Sequence, residues 1–169
     1  MSDSINQYVA QRAELLANLV LTRRKDVEVI PLHQKDVGID LVARVRQPVM
    51  GGQVLPMFGV EVKGTVNPLA DDEAATRFAN ARAKRRPSSG LFLFPIAIFL
   101  FSVEGDVGYY CWLLEPSVPR DRSPRLDRVS NLSMHKITKR SLDDMVQQVV
   151  AWFEAMGDLL SHQSSAEKP

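Results

Sequence analysis

Apolar residues recur at helical spacing over 5–23. Val9, Ala13, Leu16 and Val20 form one stripe, with Ala10, Glu14, Ala17 and Leu21 beside it. No Pro or Gly interrupts the stretch, and Ser4 is placed to cap it. After Arg23, Arg24 and Lys25 the period drops to two. Val27, Val29 and Pro31 open an extended segment, and 38–46 reads as a strand with Ile39, Leu41, Ala43 and Val45 on one face. Pro48 and Gly51-Gly52 predict a turn. A second strand over 55–63 returns as its hairpin partner, with Phe58, Val60 and Val62 on one side and Met57, Gly59, Glu61 and Lys63 on the other.

Gly64 is read as the stop of that strand. Asp71, Asp72 and Glu73 then open a helix to about residue 84, acids at its positive end. The continuous apolar run 96–103 has the character of a central strand covered on both faces. Glu104-Gly105-Asp106 is a tight turn, and 107–114 returns as an aromatic-rich strand. Residues 116–131, rich in Pro and Arg, read as irregular. Ser141, with Asp144 three residues on, predicts the capped start of a last helix bearing Leu142, Met145, Val146, Val149, Val150, Trp152, Phe153 and Met156. The order α-β-β-β-α-β-β-α predicts an α/β protein with a mixed sheet flanked by helices. It is read as one domain over 1–160, with a flexible polar tail over 161–169.

The 169 residues, 45% hydrophobic and 24% charged, have the composition of one globular domain and exclude a disordered or collagen-like chain. The lone Cys111 excludes an internal disulfide and a thiolate cluster. The most apolar run, 91–103, is shorter than the ~20 residues a membrane-spanning helix needs, and the polar start is not expected to act as a signal peptide. The expectation is a cytoplasmic protein without a membrane partner. A formal charge of +1 conceals blocks: five bases and no acid over 77–86, a net +5 over 120–140 and a net −4 from 141 onward. Such blocks suit a polyanion-binding face as well as solvated surface.

Asp40, Glu61 and Lys63 are the residues with chemistry to offer. Glu61 and Lys63, two apart on a strand, share a face, and a hairpin would bring Asp40 within a few ångströms of Glu61. Carboxylates that close repel unless a proton or cation lies between them, and hard oxygen donors suit Mg²⁺ or Mn²⁺. Lys63 would then orient or deprotonate a water, or stabilise charge on phosphate. Glu14 would complete the ligand set directly or through water. Singly, each has a plainer role: a surface ion pair for Glu61 and Lys63, a turn carboxylate for Asp40, a solvated helix acid for Glu14.

Together the strings "GIDL" and "FGVEVKGT", following a helix that contains a glutamate, resemble the PD-(D/E)XK nuclease superfamily. "KDVGIDL", "VEVKGT" and "FPIAIFLFSVEGDVGYYCWLLEP", with the last helix, resemble more narrowly a bacterial family, the domain of unknown function 4365. The resemblance spans roughly residues 5–153. It implies a restriction-endonuclease-like fold. It implies a Mg²⁺-dependent nuclease acting on nucleic acid, most often DNA, in bacterial defence or mobile-element settings. It assigns Asp40 to the motif aspartate, Glu61-Val62-Lys63 to the E-x-K tripeptide, Glu14 to the helix glutamate and the Val62 carbonyl to a third metal ligand. Asp40 departs from the pattern in lacking a preceding proline. Arg77, Arg82, Lys84, Arg85 and Arg86, on and after the helix that follows the tripeptide, are expected to contact phosphates. The alternative is a non-catalytic nucleic-acid-binding or partner-dependent subunit that keeps the fold. So short a chain has no obvious target-recognition domain, which invites a homodimer or a protein partner.

Overall fold

The computed structural model describes residues 2–32, 38–49, 52, 54–83, 93–121 and 123–166. Among them the order is α1 (Ser2–Leu21), β1 (Val27–Pro31), β2 (Leu41–Val45), β3 (Met57–Thr65), α2 (Asp72–Ala83), β4 (Ile96–Ser102), β5 (Val107–Ser117), β6 (Arg125–Arg128), β7 (His135–Lys136) and α3 (Lys139–Ala166). The strands form one seven-stranded mixed sheet in the order β1-β2-β3-β4-β5-β6, with β7 also paired to β5. Only β3 and β4 run parallel, and α2 makes their crossover.

The alternation predicted for β3 holds. Phe58, Val60 and Val62 project into a large cluster with Ala13 and Ala17 of α1, Phe99 and Phe101 of β4, and Leu142, Met145 and Val149 of α3. β4 is buried along its whole length because both faces are covered. Its Ile98 and Leu100 join Ala75 and Ala79 of α2, Tyr109, Cys111, Leu132 and Met134 in a second cluster on the other face. Two helices therefore cover one side of the sheet and α2 covers the β4–β5 part of the other.

Several expectations need correction. The Pro- and Arg-rich stretch after 116 is not all irregular. β6 pairs Leu114–Ser117 of β5 and β7 pairs Tyr109 and Tyr110, so the two short strands share the outer edge of β5. Trp152 Nε1–H donates to the Arg125 carbonyl (2.8 Å) and holds β6 from α3. The last helix is capped by Thr138. The Ser141 N–H donates to Thr138 Oγ1 (3.1 Å) and the Thr138 N–H to Ser141 Oγ (2.8 Å), a reciprocal box with Ser141 in its third position, while Asp144 is exposed. That helix continues to Ala166, through residues expected in the polar tail. In the aromatic-rich β5, Tyr109 and Trp112 are packed in the core and hydrogen-bonded to the Leu69 carbonyl and Gln148.

Candidate active site

β3 carries the site because its pleat separates two chemistries. The even positions 58, 60 and 62 are apolar and bury; Glu61 and Lys63 point to the opposite face. Their side chains meet there, Lys63 Nζ lying 3.0 Å from Glu61 Oε1. The Glu61 side chain is only 13% exposed against 42% for Lys63, so the carboxylate is largely withdrawn from water and the ammonium forms its outer cover.

β3 does not stop at Gly64; it runs to Thr65. Gly64 is needed for another reason. A Cβ there would lie 2.7 Å from Val9 Cγ1 and 2.8 Å from the Val9 carbonyl oxygen, so the missing side chain lets the backbone of α1 sit directly on β3, next to Lys63. Thr65 is buried and its Oγ1 accepts the Asn67 N–H (3.0 Å), which makes it a strand-ending turn residue.

Asp40 reaches the site by leaving the pleat. It was expected inside a strand over 38–46, but β2 begins at Leu41. Gly38, at φ 72°, turns the chain just before it. Leu41 is the ladder partner of Val60, yet the Asp40 N–H also donates to the Val60 carbonyl (2.9 Å). Two residues against one is the pattern of a bulge. A regular strand would keep Ile39 on the face of Leu41, Ala43 and Val45. Instead Ile39 crosses to the Glu61 side, where its Cδ1 is 2.8 Å from the point a Gly59 Cβ would occupy.

The extra residue turns the Asp40 carboxylate toward the end of β2, where Oδ2 accepts the Val62 N–H at 2.6 Å. The N–H and C=O of one strand residue point to the same side, so the Val62 carbonyl also faces the Asp40 side. Burial raises the Asp40 pKa above the ordinary aspartate value, and the Glu61 charge adds to the rise; the Val62 N–H and the Lys63 ammonium act against it. Asp40, Glu61, Lys63 and the Val62 backbone thus come together at one end of the β2–β3 pair.

Glu14 is exposed on α1. α1 packs on the face of Phe58, Val60 and Val62, opposite to Glu61 and Lys63. Its Arg12 reaches the Val103 carbonyl (2.9 Å) at the end of β4. Among the described residues, no group of three or more His, Cys, Asp and Glu is gathered closely enough to hold a metal ion. The charges that act on Asp40 are those of Glu61 and Lys63. The chemistry of Asp40 and Glu61 still fits a small divalent cation. Both offer hard oxygens, and the Asp40 carboxylate sits where burial and a neighbouring anion both oppose its charge.

Of the bases expected to meet phosphate, Arg77 is an exposed residue of α2 engaged with Glu73 one turn earlier. Arg82 lies on the same helix. Lys84, Arg85 and Arg86 lie outside the described residues. No helix among the described residues is long and apolar enough to cross a membrane. No family model matches the chain, and no curated protein or solved structure matches it.

Proposed function

We propose that the protein is a metal-dependent nuclease of restriction-endonuclease-like fold that hydrolyses phosphodiester bonds of nucleic acid, DNA foremost, in bacterial defence or mobile-element biology. One observation carries the reading. Separate stretches of chain bring Asp40 beside Glu61, with the Asp40 carboxylate bound to the Val62 N–H and Lys63 across Glu61. A solvated ion pair on a strand needs no bulge to recruit a second, burial-strained carboxylate. The element order α-β-β-β-α-β gives further support.

Asp40, Glu61 and the Val62 carbonyl would hold Mg²⁺ or Mn²⁺, whose chemistry is to polarise a phosphoryl oxygen and acidify a bound water. The Lys63 ammonium, more exposed than its partner, is the group able to reach a phosphate and stabilise charge gathering on it. Burial of Glu61 keeps its carboxylate oriented. The bases of α2 would position the backbone of the nucleic acid without reading its sequence.

The test is cleavage of plasmid, single-stranded DNA and RNA with Mg²⁺ or Mn²⁺ and with chelator. Asp40→Asn, Glu61→Gln and Lys63→Ala are each expected to lose at least ~100-fold in rate, the scale seen when one charge-stabilising group is removed, while remaining folded. Metal-independent cutting, or undiminished cutting by Lys63→Ala, overturns the assignment. A second reading, a nucleic-acid-binding subunit without its own activity, draws on the Lys63–Glu61 pair satisfying itself; salt-sensitive binding with no cutting by the intact protein is its signature.

A further inference from the structure

α1 has two apolar faces, and among the described residues only one is buried in the fold. Ala13, Ala17, Val20 and Leu21 are buried against the sheet. Ile5, Tyr8, Leu15 and Leu19 are 53%, 56%, 66% and 63% exposed. With Arg12 and Thr22 they stand at 5, 8, 12, 15, 19 and 22, the alternating three-and-four spacing of a helix that packs along another helix. Exposed apolar residues scattered singly need no explanation, whereas a contiguous stripe does. The charge pattern suits such a contact. Along one flank of the stripe stand Gln11 and Asn18, both uncharged. Its one cation, Arg12, is turned aside onto the Val103 carbonyl and Asp106.

We propose that this stripe joins two copies of the chain through an antiparallel α1–α1 contact. The spacing is complementary to itself. Run antiparallel about a two-fold axis between Ala13 and Glu14, it sets Tyr8 against Leu19, the Arg12 stem against Leu15, and Ile5 against Thr22, each pair twice. A parallel pairing would set Arg12 on Arg12 and waste the match. The exposed fractions leave roughly 400 Å² of these four side chains per copy. Two copies therefore cover roughly 800 Å² before the flanking amides and the Arg12 stem are counted, which approaches the ~1,000 Å² that a specific interface requires. Asp40, Glu61 and Lys63 take no part, so the contact stands whether or not the protein is a nuclease.

Light scattering after size exclusion, with sedimentation velocity from ~1 to ~100 μM, reads the mass directly. The full chain is expected to be a dimer. Leu15→Lys with Leu19→Lys, at exposed positions, is expected to give a monomer of unchanged circular dichroism whose melting midpoint, unlike that of the unaltered chain, does not rise with protein concentration. A monomer throughout for the unaltered chain, or a dimer that persists in the double variant, overturns the proposal. Orientation is read by mixing Tyr8→Cys with Leu19→Cys chains under mild oxidation. A disulfide between the two kinds of chain is expected, with native Cys111 buried and silent. Cross-linking of Leu19→Cys to itself overturns the antiparallel order.

Discussion

Replacing Asp40 by asparagine removes a charge and keeps a hydrogen bond, so it isolates what the bulge does to the carboxylate. Burial and Glu61 raise the Asp40 pKa above the ordinary 3.8. A raised acid pKa means the folded state binds its proton more tightly than the unfolded chain. Stability from this group is complete below pH 3.8 and is lost as pH rises through the folded value. Above that window the ionised carboxylate opposes folding. Asparagine carries no such cost, and its side-chain oxygen can still accept the Val62 N–H. The Asp40→Asn protein should therefore melt higher than the unaltered one at pH 7, and the gap should close toward pH 3. Asp40→Ala adds a different effect. It leaves the N–H of buried Val62 without its acceptor, at about 1–3 kcal/mol. At about 2–4 °C per kcal/mol for a chain this long, its midpoint should fall by roughly 2–12 °C relative to Asp40→Asn. Thermal melts by circular dichroism from pH 3 to 8, without added metal, give all three. An Asp40→Asn midpoint below that of the unaltered protein at pH 7, with the deficit vanishing in acid, would show a carboxylate stabilised by its surroundings and would refute the reasoning.

Other outcomes follow from packing and capping. Gly64→Ala forces a methyl against the Val9 backbone and should cost about 1–3 kcal/mol or more in urea unfolding, because backbone gives less than a side chain. Thr138→Ala should cost about 0.5–2 kcal/mol as the cap of α3, whereas Asp144→Ala should stay within ~0.5 kcal/mol; the reverse order would return the cap to Ser141. Trp152→Phe should weaken the hold on β6 by about 0.5–1.5 kcal/mol. It should be visible as faster amide exchange at Val129, whose N–H pairs with the Leu113 carbonyl at the β6 edge.

The parts of this fold that announce themselves in sequence are those where one element's own periodicity settles its environment. β3 alternates, so its buried and chemical faces separate on inspection; β4 is apolar throughout, so it must be central. What resisted reading depends on a neighbour. Nothing in Gly38-Ile39-Asp40-Leu41 marks the bulge, because it exists only against Val60, and it sends Ile39 and Asp40 where simple alternation would not. The Arg125–Arg128 strand has no alternation of its own and is held by backbone pairing to β5 and by Trp152. Thr138 and Ser141 are equally able caps, and their reciprocal bond makes Thr138 the first and Ser141 the third residue of one box. Glu61 and Lys63 were legible as neighbours on one face; the recruitment of Asp40 through the Val62 N–H was not.

Binding of Mn²⁺, followed by electron paramagnetic resonance with calorimetry, addresses the cation-holding role of the Asp40–Glu61 corner without requiring any substrate. The account predicts one ion per chain at neutral pH, abolished by Asp40→Asn and by Glu61→Gln and weakened as acid protonates Asp40. No binding, or an ion retained unchanged by both variants, would contradict it.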